Sequence, residues 1–119
     1  MNTIETTDYA VLEIDNSSFN SEKINQIDSA INNLLNQKIK KIFFDFSRVN
    51  SINNDFFHNM KKIYNKFSNM GKFDLFNLSP DVHMMVYIMG IDKYYQVYNS
   101  RYDAINQHNP LVKRRFEVI

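Results

Sequence analysis

The chain has 119 residues, 44% of them hydrophobic, which is enough for one domain with a real core. Its formal net charge of +1 argues against a dedicated nucleic-acid binder, which carries a marked basic excess. It contains no cysteine, so disulfides, thiolate metal sites and cysteine nucleophiles are excluded, and no stretch approaches the long apolar run of a membrane span. Met1-Asn2-Thr3 does not begin a signal peptide, so a cytoplasmic protein is expected.

In chain order, Tyr9 to Asp15 reads as a strand, rich in β-branched and aromatic residues, with Thr3 to Thr7 as an edge partner. Asn20 or Ser21 is placed to cap a helix. There Ile24, Ile27, Ile31, Leu34 and Leu35 recur at helical spacing and form one buried stripe. Gln26, Asp28, Asn32 and Asn33 fall mostly outside the stripe, and Asn36-Gln37-Lys38 ends the helix. Ile39 to Phe46 carries the strongest strand signal, a nearly continuous apolar run suited to a central strand buried on both faces. Asp45 within it is read either as a strand-end carboxylate bonded to loop amides or as a polar group lining a site.

A polar turn then leads into a helix whose first residues are Asn53, Asn54 and Asp55. Free backbone N–H groups and the helix dipole favour an anion or acceptor at such an end. Phe56, Phe57, Met60, Ile63, Tyr64, Phe67 and Met70 form its core side. His58, Asn59, Lys61, Lys62, Asn65 and Lys66 form the opposite face, read as either solvated or a partner surface. Gly71 is expected as a left-handed C-cap. Phe73 to Leu78 is a further strand, and Ser79-Pro80-Asp81 starts a helix with Val82, Met85, Val86 and Met89 on its apolar side and Gly90 at its end. Tyr94 to Tyr98 is a fifth strand, Ser100 caps a short helix from Arg101 to Gln107, and Pro110 stops it.

The tail Leu111 to Ile119 is read as packed on its own domain, as an added strand, or as a basic docking segment through Lys113-Arg114-Arg115. The element order predicts a single α/β domain over residues 1–119, with 108–119 a C-terminal extension. Its sheet is mixed and mostly parallel, four- to five-stranded, packed with about four helices. Exposed edge strands and the Phe116-Val118-Ile119 tail leave a homodimer open.

Motifs for catalysis are missing. The only glycines, Gly71 and Gly90, each stand alone after a helix, so there is no phosphate-cradling loop. His58, His83 and His108 lack metal-ligand spacing, and no serine sits in a nucleophile elbow. Asp45 and Asp55, one ending a strand and one opening the next helix, are read as structural groups or as a carboxylate pair.

The stretch Asp45-Phe46-Ser47-Arg48-Val49-Asn50-Ser51-Ile52-Asn53-Asn54-Asp55-Phe56-Phe57 resembles the STAS domain, the fold of anti-sigma factor antagonists. Those chains typically read Asp-Leu-Ser-x-Val-x-x-Ile-Asp-Ser-Ser-Gly-Leu here, and the register needs no gap. Gly71-x-x-Asp74-Leu75, Leu78-Ser79-Pro80 and Gly90-Ile91 extend the resemblance over residues 8 to 107. It implies a non-enzymatic, cofactor-free module that works by partner switching with a serine kinase acting as anti-sigma factor and a PP2C-type phosphatase. The family's phosphoacceptor serine falls on Asn54, the acidic residue before it on Asn53, the second serine on Asp55 and the glycine on Phe56. Asn54 has no hydroxyl to phosphorylate. The resemblance therefore implies a phosphorylation-independent member, with Asn54 mimicking the neutral, binding-competent form. The charge of Asp55 could instead imitate the phosphorylated form, or serve as a favourable helix N-terminal acid. Ser51 is an alternative phosphosite. The expected partner contact is Asn53, Asn54, Asp55, His58, Lys61 and Lys62. Two rival classes stand beside it: a cytoplasmic STAS accessory subunit of a lipid-transporting ABC system, and a nucleotide sensor at Asn53, where only Arg48 supplies a nearby positive charge.

Overall fold

The computed structural model describes residues 3–5 and 8–107. Five strands, β1 (Thr3–Glu5), β2 (Tyr9–Asp15), β3 (Lys41–Arg48), β4 (Lys72–Phe76) and β5 (Gln96–Tyr98), form one sheet in sequence order. β1 pairs antiparallel with β2, and the remaining pairs are parallel. This is the mostly parallel mixed sheet that the element order predicts.

Helices α1 (Ile24–Asn36), α2 (Asn54–Phe67) and α3 (Pro80–Met89) bury their apolar sides on one face of the sheet. The short helix α4 (Arg101–Ile105) covers the other face, against Val11, Phe43, Phe76 and Tyr98. β3 is the centre of both clusters: Ile42, Phe44 and Phe46 point to the three-helix face and Phe43 to the α4 face. Burial on both faces is why this strand reads as a continuous apolar run rather than an alternation.

The structure moves several expected boundaries and roles. α1 begins at Ile24, and Lys23 at its N-cap makes no side-chain cap bond. Asn20 instead closes the preceding turn, its Oδ1 accepting from the backbone N–H of Glu22 and Lys23. α1 ends with Lys38 in the left-handed region (φ 66°) and the Ile39 N–H bonded back to the Leu34 carbonyl. This is a Schellman-type stop without glycine. Tyr94 and Tyr95 precede β5, after a single 3₁₀ turn at Ile91–Lys93. Met70 is largely exposed, so the core stripe of α2 ends at Phe67. Asn59 is buried on the core side of α2, not on its solvated face. The tail, Pro110 and His108 lie outside the described residues.

Gly71 is not a left-handed cap; the left-handed glycine is Gly90 (φ 78°), which ends α3. What Gly71 provides is close approach. A Cβ there would sit 2.8 Å from the Lys40 carbonyl oxygen and 3.3 Å from Leu35 Cδ2. That carbonyl accepts from Lys72 N–H at 2.7 Å, so the clash falls on backbone that sets the start of β4. Gly71→Ala is expected to destabilise the domain by about 1–3 kcal/mol, the usual cost of overpacking. Urea denaturation measures it, and an unchanged midpoint would show that the backbone yields freely.

Candidate functional site

The C-terminal ends of the strands carry the loops that the sequence singled out. After β3 the chain turns at once, with Val49 N–H bonded to the Phe46 carbonyl at 2.9 Å. Val49 and Ile52 are buried and pin the loop at two points, which leaves Asn50 and Ser51 exposed between them. Asn53 is the N-cap of α2: its backbone is extended and its Oδ1 accepts from Phe56 N–H at 2.8 Å. Substituting an aspartate by asparagine keeps that acceptor, because both residue types cap well. Asn54 is the first residue of the helix and its side chain is exposed.

Asp55 does not project freely. Its Oδ1 accepts the Ser21 hydroxyl at 2.6 Å and its Oδ2 accepts the Ser21 backbone N–H at 2.9 Å. These bonds, first the one from the Ser21 hydroxyl, hold its carboxyl below the usual carboxylate range, with smaller help from His58 and Lys62. Two further bonds join the same elements. Asn50 N–H donates to Asn16 Oδ1 at 2.7 Å, and Asn59 Nδ2 donates to the buried Phe19 carbonyl at 2.7 Å. The Phe19 ring, fully buried, packs on Phe56 (centroids 5.0 Å) and edge-on to Phe44 (5.6 Å). The β2–α1 segment is thereby clamped onto α2. Asp15 organises its turn: Ser17 donates to Oδ1 through its hydroxyl (2.7 Å) and its N–H (2.9 Å), which lowers the carboxyl pKa.

The outer face of α2 carries His58, Lys61 and Lys62, all exposed. The His58 ring tilts beside Phe57, and Lys61 Nζ lies 6.0 Å over the Tyr94 ring. Lys66, farther along, bridges to Asp28 of α1 at 2.7 Å and so braces two helices rather than offering a free charge. Asp45 belongs to a different network. Its Oδ1 accepts from Ser47 N–H at 2.9 Å and from Asn77 Nδ2 at 3.3 Å, tying β3 to the loop after β4. Asp45 and Asp55 thus bind separate partners. Among the described residues no group of three or more His, Asp or Glu is arranged to hold a metal ion.

The expected contact residues therefore fall into two groups. Asn54, His58, Lys61 and Lys62 are presented outward, whereas Asn53 and Asp55 spend their acceptors on the protein itself. Ser21 and Asn16, which complete the arrangement, were invisible as site residues. Each meets its partner 34 positions away, and Ser21 reads locally as a helix cap.

The chain that builds this strand, turn and capped helix N-terminus matches the family model of the STAS domain over residues 1–104. The chain belongs to the STAS domain family. No curated protein matches it at the sequence level. Solved structures share the fold of this STAS domain at low identity. One is a candidate anti-sigma factor antagonist from Thermotoga maritima, 20% identical, covering 89% of this chain and 92% of the other, with a TM-score of 0.72. A chain from a structure of the stressosome, described as a signal integration and transduction hub, is 16% identical over 89% and 94%, with a TM-score of 0.73. The anti-sigma factor antagonist SpoIIAA in its unphosphorylated form is 16% identical over 89% and 93%, with a TM-score of 0.67. Among the described residues of the STAS domain, no helix is long and apolar enough to cross a membrane.

Proposed function

We propose that this STAS domain is a non-enzymatic regulatory module that binds a protein partner through the exposed residues Asn54, His58, Lys61 and Lys62 of α2, without phosphorylation at the usual loop position. The observation that carries the reading is the N-terminal turn itself. Asn54 stands exposed at the tip, the neighbouring Asp55 carboxylate is engaged by Ser21, and His58, Lys61 and Lys62 continue outward along the helix. An exposed amide both donates and accepts, so Asn54 keeps the hydrogen-bonding ability of a neutral hydroxyl while offering no site for a phosphoryl group. A phosphate on that turn would bring nearly two negative charges and strong acceptors; Asn54 fixes the neutral condition. Membership of the STAS family, and a fold shared with an antagonist and a stressosome chain, support a kinase-type anti-sigma factor or a PP2C-type phosphatase as the partner class. Such partners would be met in the cytoplasm.

The test is affinity purification of the tagged chain from its own host, with mass spectrometry of what is retained. A kinase-like ATPase or a phosphatase is expected. The exposed double substitution His58→Glu/Lys62→Glu is expected to cut its recovery at least about tenfold, equivalent to about 1.4 kcal/mol. Its circular dichroism should not change. Undiminished recovery removes this face, and capture of a permease with its ATPase would place the protein in a transport assembly instead.

A further inference from the structure

We propose that Ser21 is a positioning residue for this recognition surface: by donating both its N–H and its hydroxyl to Asp55 it turns that carboxylate back onto its own domain, and opening the contact presents a charge that dismisses the partner. The proposal deepens the function argued above and rests on it.

The geometry supplies the mechanism. Asp55 adjoins the exposed Asn54 in the first turn of α2, where the helix dipole favours a negative charge. It therefore stays ionised whether or not Ser21 is in place. With Ser21 closed, two donors at 2.6 and 2.9 Å consume one lone pair on each oxygen. Loss of the Ser21 hydroxyl removes the shorter of the two bonds and leaves the carboxylate on the backbone N–H alone, in the field of His58, when protonated, and of Lys62, both exposed and both felt by the carboxylate already. With Oδ1 released, the Asp55 carboxylate would turn that oxygen toward those cations, which the partner is proposed to use, and would repel an acidic partner group. The device is separable from the fold. The β2–α1 segment keeps two other ties to this region, Asn16 to Asn50 and Phe19 to Asn59, so loss of the Ser21 hydroxyl does not release it.

The experiment compares wild type, Ser21→Ala, Asp55→Asn and the double variant, each tagged, for binding to the protein that wild type retains from its host. Ser21→Ala is expected to bind at least about tenfold more weakly, while Asp55→Asn and the double variant bind within about twofold of wild type. Rescue by removing the Asp55 charge is the decisive result, because a purely structural role for the Ser21–Asp55 bond predicts no rescue. Equal binding by all four overturns the proposal, as does a double variant as weak as Ser21→Ala. Weak binding by Asp55→Asn alone also overturns it, since Asp55 would then touch the partner directly. If all four bind alike while His58→Glu/Lys62→Glu does not, the gate fails and the recognition face stands. If wild type retains no protein, both fall together.

Discussion

Replacing Phe19 by alanine is expected to remove about 3–5 kcal/mol of unfolding free energy, the cost of emptying a fully buried aromatic site. That is a large share of the roughly 5–15 kcal/mol that a domain of this size commands. The ring fills the space between Phe44 at the centre of the sheet and Phe56 in the first turn of α2, so its loss opens a cavity beside the N-terminus of α2, where the proposed recognition surface lies. Neighbours are held by strands and by a helix and have little freedom to collapse into the gap, which places the cost at the upper part of the range. Urea denaturation followed by circular dichroism measures it. The same variant should lose partner binding, because the segment carrying Ser21 is anchored by this side chain. A loss below about 1.5 kcal/mol would mean that the loop repacks.

Asp74→Val is expected to act in the opposite direction, raising stability by about 1–3 kcal/mol at neutral pH. Asp74 lies on β4 between Phe43 and Gln96 and is 2% exposed. Its Oδ2 has no hydrogen-bond partner, and its nearest cation, Lys72 Nζ, is 3.9 Å away on a half-exposed side chain. Burial raises its pKa, and Lys72, a hydrogen bond from Gln107 and the charge of Lys41 oppose that only in part. A carboxyl whose folded pKa lies above its unfolded value favours folding when protonated. Its benefit is complete below the unfolded pKa, about 3.9, and is lost as pH rises through the folded value. Wild type should therefore fall behind the valine variant at pH 7.5 and recover ground as the solution is acidified. Thermal unfolding at several pH values tests this. A gap that stays constant with pH would show that the carboxylate titrates normally.

The elements that local pattern specifies were legible from residues alone. The apolar run through Ile42-Phe43-Phe44 located the central strand, and Ser79 before Pro80 and Ser100 before Arg101 marked helix starts that the structure confirms through their side-chain caps. The register of the Asp45 to Phe57 stretch pointed to the STAS family. What local pattern could not reveal is pairing at a distance. Asn59 looked solvent-facing because it is polar, yet its amide meets a carbonyl 40 residues earlier that would otherwise be buried without a donor. Gly71 looked like a left-handed stop because it follows a helix, and its real constraint is the carbonyl of Lys40 across a strand junction. Asp55 read as a helix-end acid, a description that is correct for its position but misses the serine it holds.

The three ties between the β2–α1 segment and the α2 region join residues 34, 34 and 40 positions apart in the chain. Local contacts cap α2, but they do not bring the β2–α1 segment to it. During synthesis at about 5–20 residues per second, Ser21 waits seconds for Asp55, and Phe19 for Asn59, to follow out of the ribosome. It waits further for the intervening helix and the β2–β3 pairing, since non-local contacts form only after loop closure has been met. A nascent or partly unfolded chain would thus display the right residues without the right surface. A partner of the proposed kind would engage only molecules that have finished folding, and its pool of targets would be filtered for integrity by the same contacts that shape the proposed binding face.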